Sequence, residues 1–127
     1  MGKNGNQMTK VLVVEDNPLN MELVIEMIRG EGFIADEATD GEEAIKKAYT
    51  EAYDLILMDI EIPILDGVEA AKAIRKKHKN LPIIALTSYA MKGDRERFLA
   101  AGFDEYISKP IDVTDFLKRL KKYRKQV

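Results

Sequence analysis

The chain has 127 residues, 46% of them hydrophobic and 33% charged, with a formal net charge of −2 and no cysteine. That length suits one domain with a real core, and that composition excludes intrinsic disorder. The charge gives no global pull toward nucleic acid, the absence of cysteine excludes disulfides and thiolate metal sites, and no apolar run approaches the roughly 20 residues of a membrane span.

The opening MGKNGNQ is polar and rich in Gly and Asn, so residues 1–8 are expected to be a disordered leader and 9–125 the folded domain. No signal-peptide pattern is present, and a cytoplasmic location is expected. The first apolar β-type run is Val11–Val14. Leu19, Leu23 and Met27 follow at i, i+4, i+8, the stripe expected on a helix, which RGEG closes. Phe33–Ala38 is a second β run, interrupted by Asp36 and Glu37. DGEEAIKKAYTEA then opens a helix with Asp40 as N-cap and acids in its first turn, where the helix dipole favours them.

Leu55–Met58 is an unbroken apolar run that stops at Asp59. DGVEAAKAIRKKHKN repeats the acidic helix start and collects Lys, Arg and His near its end, where His78 is expected to be a solvated cation. Ile83–Leu86 is a fourth β run, AMKGDRERFLAAG a weaker helix ending at Gly102, and Glu105–Ile107 a short fifth β run. DVTDFLKRLKKYRKQ puts Phe116, Leu120 and Tyr123 on one helical face; its basic residues are expected on the exposed face, with no nucleic-acid or membrane role.

Five alternations of β and α predict an α/β fold: a single doubly wound (βα)5 domain with a parallel sheet and helices on both faces. The first, third and fourth runs are almost wholly apolar, as central parallel strands should be, whereas the second and fifth are polar enough to be edges. The order 2-1-3-4-5 follows, which is flavodoxin-like and places ligands beyond the carboxyl ends of the strands.

At those ends stand Glu15 and Asp16, Asp59, Thr87, and Lys109. Each has a plain structural reading: an acidic pair caps the next helix, an Asp ends a strand in a turn, a Thr finishes a strand, and a Lys is a solvated charge. Their coincidence on one edge is what points to chemistry. Clustered carboxylates repel one another unless a cation joins them, and all-oxygen ligands suit Mg²⁺. A carboxylate can be a nucleophile toward phosphorus, with Lys and a Thr hydroxyl stabilising the transferring oxygens. The set reads as phosphoryl acceptance on Asp59.

The stretches VLVVEDNPLN, DLILMDIEIPILDG, IIALTSYAM and DEYISKPI, in this order and spacing, resemble the receiver domain of response regulators from about Lys10 to Lys122. EDNPLN and KPI are most similar to receivers of hybrid kinases and single-domain phosphorelay proteins. The resemblance implies that Asp59 is the phosphoacceptor, that Asp16, Asp59 and the Glu61 backbone carbonyl ligate Mg²⁺, and that Glu15 contributes through water. It further implies that Thr87 and Lys109 contact phosphoryl oxygens, that Tyr106 is an aromatic switch coupled to Thr87, and that the Lys109–Pro110 bond is cis. Ser88 stands where the family usually has Ala. Glu61 and Tyr89 each lie two residues beyond a site residue and are expected to tune dephosphorylation by standing over the path of water.

On this reading the chain is a single-domain response regulator, not an enzyme in the ordinary sense. Its partners are a histidine kinase or histidine phosphotransfer protein and a downstream effector, and phosphorylation-dependent dimerisation through the last two β/α units is among the family's options. The chain's lone histidine argues against its being the kinase or phosphotransfer module. The alternative is a haloacid-dehalogenase-type phosphatase with Asp59 as nucleophile, which normally has a second Asp where this chain has Glu61 and carries a cap domain. A flavodoxin-type module would need a Ser/Thr/Gly-rich phosphate loop where Glu15-Asp16-Asn17 stands.

Overall fold

Strand and helix alternate through ten elements in the computed structural model, which describes residues 8–88 and 93–124. They are β1 (Lys10–Val14), α1 (Pro18–Gly30), β2 (Ile34–Ala38), α2 (Gly41–Thr50), β3 (Leu55–Asp59), α3 (Gly67–Lys77), β4 (Ile83–Thr87), α4 (Asp94–Ala101), β5 (Glu105–Ser108) and α5 (Val113–Lys121). All strand pairings are parallel, in the order β2-β1-β3-β4-β5. The flavodoxin-like expectation holds. β3 and β4 are buried along their whole length, while β2 is mostly exposed or half-buried, as an edge strand is.

Alternation along the strands splits the core into two layers. Leu12, Val14, Ile56, Met58, Ile83 and Ala85 face one layer with Ala44, Ala70, Ile74 and Phe98 from α2, α3 and α4. Val11, Val13, Leu55, Leu57, Ile84 and Leu86 face the other, with Ile25, Ile28, Phe116 and Leu120 from α1 and α5. The small residues of α2 and α3 let these helices lie close to the sheet.

The caps follow the sequence. Asp40, Asp66 and Asp112 each accept a bond from the backbone N–H three residues on, and Gly102 closes α4 in the left-handed region at φ 107°. α1 forms where the Leu19–Leu23–Met27 stripe predicts a helix, but the stripe is not its buried face: Leu19 and Leu23 are 64% and 52% exposed, and Met27 is only half-buried against the core. Met21, Val24, Ile25 and Ile28 turn inward instead. α1 carries two apolar stripes, and the branched residues of the second fit the β1–β3 surface.

His78 also departs from expectation. It is half-buried at the end of α3, its Nε2 lies 2.7 Å from the Ala48 carbonyl oxygen, and its ring meets Tyr49 edge-on. A carbonyl accepts only, so Nε2 carries the proton. Arg75 folds back as well, donating to the carbonyls of His78, Lys79, Leu81 and Gly102. The basic residues of α5 and its C-cap lie mostly in ion pairs with acids: Arg119 with Glu105 and Asp115, Lys121 with Glu31, and the C-cap Lys122 with Glu105.

Between β3 and α3, Ile64 sits at φ 70° and the Leu65 N–H donates to the Pro63 carbonyl at 2.8 Å. This is a positive-φ γ-turn, a rare conformation and a poor one for a β-branched residue. Ile64 is 70% exposed, so little packing offsets the strain. Ile64→Asn is therefore expected to stabilise the protein by about 1 kcal/mol, a Tm rise of about 4 °C in thermal unfolding.

Candidate phosphoryl and metal site

Register and alternation assemble the site. β1 and β3 pair with Val14 beside Met58, so the next residues, Glu15 and Asp59, emerge together at the carboxyl edge. β4 and β5 pair with Thr87 beside Ser108, and the Lys109 N–H donates to the Thr87 carbonyl at 2.8 Å. Lys109 has the parity of Ile107, whose side chain lies in the α1–α5 layer, as do Val13 and Leu57. Glu15, Asp59 and Lys109 thus continue one face of the sheet. Thr87 has the opposite parity and continues the face of Ile83 and Ala85.

The contacts are close. Lys109 Nζ is 2.9 Å from Asp59 Oδ2 and 3.2 Å from Glu15 Oε1. Asp59 Oδ1 accepts the Glu61 N–H at 3.0 Å, so the turn chemistry expected of a strand-ending Asp is present as well. Glu15 Oε2 accepts the Asn17 N–H at 3.1 Å. Capping of α1 falls to Asn17, which accepts from the Asn20 N–H, so neither Glu15 nor Asp16 is the cap. The signal was in the sequence: Asn directly before Pro is a helix start. Glu15, Asp59 and Thr87 are all buried, at 2%, 2% and 1% exposure, while Asp16 is exposed.

Electrostatically the site is short of positive charge. Burial pushes the Glu15 carboxyl up, and the Asp59 charge adds to this against the Asn17 N–H and the Lys109 ammonium. Burial alone would lower Lys109, but hydrogen bonds and charges from Asp59 and Glu15 outweigh it and hold the ammonium above the ordinary lysine range. Glu15, Asp16 and Asp59 each offer a carboxylate oxygen, all within 4.8 Å of one another. One ammonium cannot balance three carboxylates. An all-oxygen donor set with a negative excess fits a hard divalent cation.

Other expected residues are placed nearby. Thr87 Oγ1 donates to Glu61 Oε2 at 3.2 Å. Tyr106 pairs with Ala85, two residues from Thr87 along the adjacent strand and on the same face. Its half-buried ring meets Phe98 at 5.8 Å between centroids, inclined at 61°. The Lys109–Pro110 bond is cis, and Ser88 is exposed. Tyr89 lies outside the described residues.

A shallow apolar groove adjoins this edge. Leu23, Val24 and Met27 of α1 form one wall, Pro110, Ile111 and Val113 the other, with Glu15 and Lys109 at its rim. Sequence reasoning missed it because the helical spacing of Leu23 and Met27 does not say which side of α1 faces the sheet.

The model of the response regulator receiver domain family matches residues 11–121. The hybrid signal transduction histidine kinase I of Dictyostelium discoideum is 46% identical over 120 residues, which cover 86% of this chain and 7% of the kinase. The polar-differentiation response regulator DivK of Brucella ovis is 43% identical over 119 residues, covering 91% of this chain and 97% of DivK. Among solved structures, the response regulator TrrA of Thermotoga maritima, in complex with Mg²⁺–BeF, is similar at 40% identity and a TM-score of 0.83, covering 91% of this chain and 99% of TrrA. No helix among the described residues is long and apolar enough to cross a membrane.

Proposed function

The chain belongs to the response regulator receiver family, and from that premise we propose that Asp59 accepts a phosphoryl group from the phosphohistidine of a histidine kinase or histidine phosphotransfer protein. The phosphorylated protein then signals to an effector protein or relays the group onward. The observation that carries this reading is the Lys109 ammonium 2.9 Å from a nearly buried strand-end carboxylate, with a Thr hydroxyl at the neighbouring strand end. An Asp59 carboxylate oxygen attacks phosphorus, and the bond from phosphorus to the donor nitrogen breaks with its electron pair left on nitrogen. An acyl phosphate results.

Glu15, Asp16 and Asp59 would hold Mg²⁺ together with the Glu61 backbone carbonyl. When bound, Mg²⁺ supplies positive charge against the phosphoryl oxygens. Lys109 turns from carboxylate to phosphoryl oxygen, and Thr87 donates its hydroxyl proton there. The movement of Thr87 leaves room on its face of the sheet for the Tyr106 ring to turn, which reshapes the α4–β5–α5 surface. The phosphoryl group biases this switch only by binding its two states differently.

The donor docks on the groove beside the site. Leu23 and Val113 are more than half exposed, and both line the groove that Lys109 borders. A helix carrying the donor histidine fits such a surface.

Intact-mass spectrometry after incubation with acetyl phosphate tests the reading. The protein should gain one phosphoryl group, dependent on Mg²⁺ and lost in hydroxylamine. Steady turnover of phosphoesters without a phosphorylated protein would instead mark a phosphatase. Metal binding has its own test. Asp16→Asn removes an anionic ligand from the exposed side of the cluster and should weaken Mg²⁺ binding about tenfold or more by titration calorimetry.

A further inference from the structure

The hydrogen bond from Thr87 Oγ1 to Glu61 Oε2 joins the ends of two strands across 26 positions of sequence. We propose that the Glu61 side chain is a positioning residue that latches Thr87 in the resting state, so that phosphorylation must break this bond before the hydroxyl can serve the phosphoryl group. The inference deepens the reading of Asp59 as phosphoacceptor and rests on it for the second half of the cycle.

A threonine hydroxyl has a single proton and donates it to one acceptor at a time. In the resting chain that acceptor is a Glu61 carboxylate oxygen at 3.2 Å, longer than a strong charge-assisted bond, so a phosphoryl oxygen at closer range can displace it. Glu61 is held in place for this. Its own N–H donates to Asp59 Oδ1 at 3.0 Å, which fixes the start of the β3–α3 loop against the strand end. The next residues, Ile60 and Ile62, are buried on either side of it. The Glu61 carboxylate thereby meets Thr87 although the residue as a whole is exposed.

The latch sets a threshold. A phosphoryl oxygen on Asp59 competes with Glu61 for the same proton, so the acceptor that binds Thr87 more strongly decides the rotamer. Thr87 and Tyr106 lie on one face of β4 and β5, two residues apart. A Thr87 held toward Glu61 therefore also biases Tyr106 toward its packed position against Phe98. Weakening the latch loosens the resting state even where no phosphoryl group is present.

Two substitutions separate the hydrogen bond from the charge. Glu61→Gln keeps a side-chain carbonyl oxygen at the same reach and removes the charge. Glu61→Ala removes both. The readout is the Thr87 χ1 population from methyl-labelled NMR couplings, together with the Tyr106 ring signals, in metal-free protein. Glu61→Ala should raise the minor Thr87 rotamer about fivefold, the effect of losing one part-exposed hydrogen bond to a charged acceptor, and Glu61→Gln, with a neutral acceptor, should fall between the parent and Glu61→Ala. A Thr87 population unchanged in Glu61→Ala overturns the latch, as does a Glu61→Gln protein that behaves like Glu61→Ala. Beryllofluoride then adds the second half: its half-saturating concentration with Mg²⁺ should fall about fivefold in Glu61→Ala. Parent protein that fails to bind beryllofluoride at all refutes the phosphoacceptor reading, while the resting-state populations still decide the latch.

Discussion

Asp59→Asn is expected to abolish phosphoryl acceptance, the largest single effect any side chain here should have. The amide keeps the size of the carboxylate and can still accept the Glu61 N–H that Asp59 Oδ1 takes now. It lacks the negative charge and the available lone pair that attack on phosphorus requires. The neighbouring carboxylates cannot substitute. Glu15 is as buried as Asp59 but is held by the Asn17 N–H and Lys109, and Asp16 stands at the exposed edge. Intact-mass spectrometry should find no phosphorylated Asp59→Asn under conditions that modify the parent.

Its fold should persist, and the reason lies in the charge balance. The substitution removes a partner of Lys109 at 2.9 Å, which costs stability. It also removes a negative charge beside Glu15, whose carboxyl burial already pushes up, which restores some. The two are opposite in sign and Lys109 keeps Glu15 as a partner, so thermal unfolding in the absence of metal should shift by only about 1 kcal/mol. A variant still phosphorylated at the parent's rate would remove the basis for the proposed function.

Most of this site could be read from the sequence because each member is the residue that ends, or follows within two of, an apolar run. Strand polarity settled which runs are central, and the order 2-1-3-4-5 then brought Glu15, Asp16, Asp59, Thr87 and Lys109 to one edge. What could not be read depends on side chains that reach across long separations. α1 has two apolar stripes of helical period, and only the shape of the β1–β3 surface selects Val24, Ile25 and Ile28 over Leu19 and Leu23. His78 looks like a solvated cation closing a helix, and Arg75 is one of several basic residues beside it. Their partners are backbone carbonyls at Ala48 and Gly102, 30 and 27 positions away, which no local pattern encodes. The bond between Glu61 and Thr87 is of the same kind.

Gly41→Ala should be the most destabilising of the small substitutions. Gly41 is buried at the first position of α2, and a Cβ built there would lie 1.9 Å from the Leu65 carbonyl oxygen and 2.8 Å from its carbon. Those atoms are backbone, so no rotamer change can relieve the overlap. Either α2 withdraws from the sheet, where Ala44 and Ala48 are fully packed, or the loop carrying Leu65 moves. That loop begins at Asp59 and is tied down at both ends: the Ile60 N–H donates to the Leu86 carbonyl, and the Gly67 N–H donates to the Ile60 carbonyl. Overpacking against two fixed elements should cost about 3 kcal/mol, a large share of a typical domain's total stability. Gly30→Ala is the matched control, because no atom lies within 4 Å of a Cβ at that helix end and its φ is not positive. It should leave the protein unchanged or stabilise it by about 0.5 kcal/mol. Denaturant unfolding of the two variants gives the comparison. If Gly41→Ala unfolds within about 1 kcal/mol of the parent, the loop after Asp59 is more yielding than this packing implies.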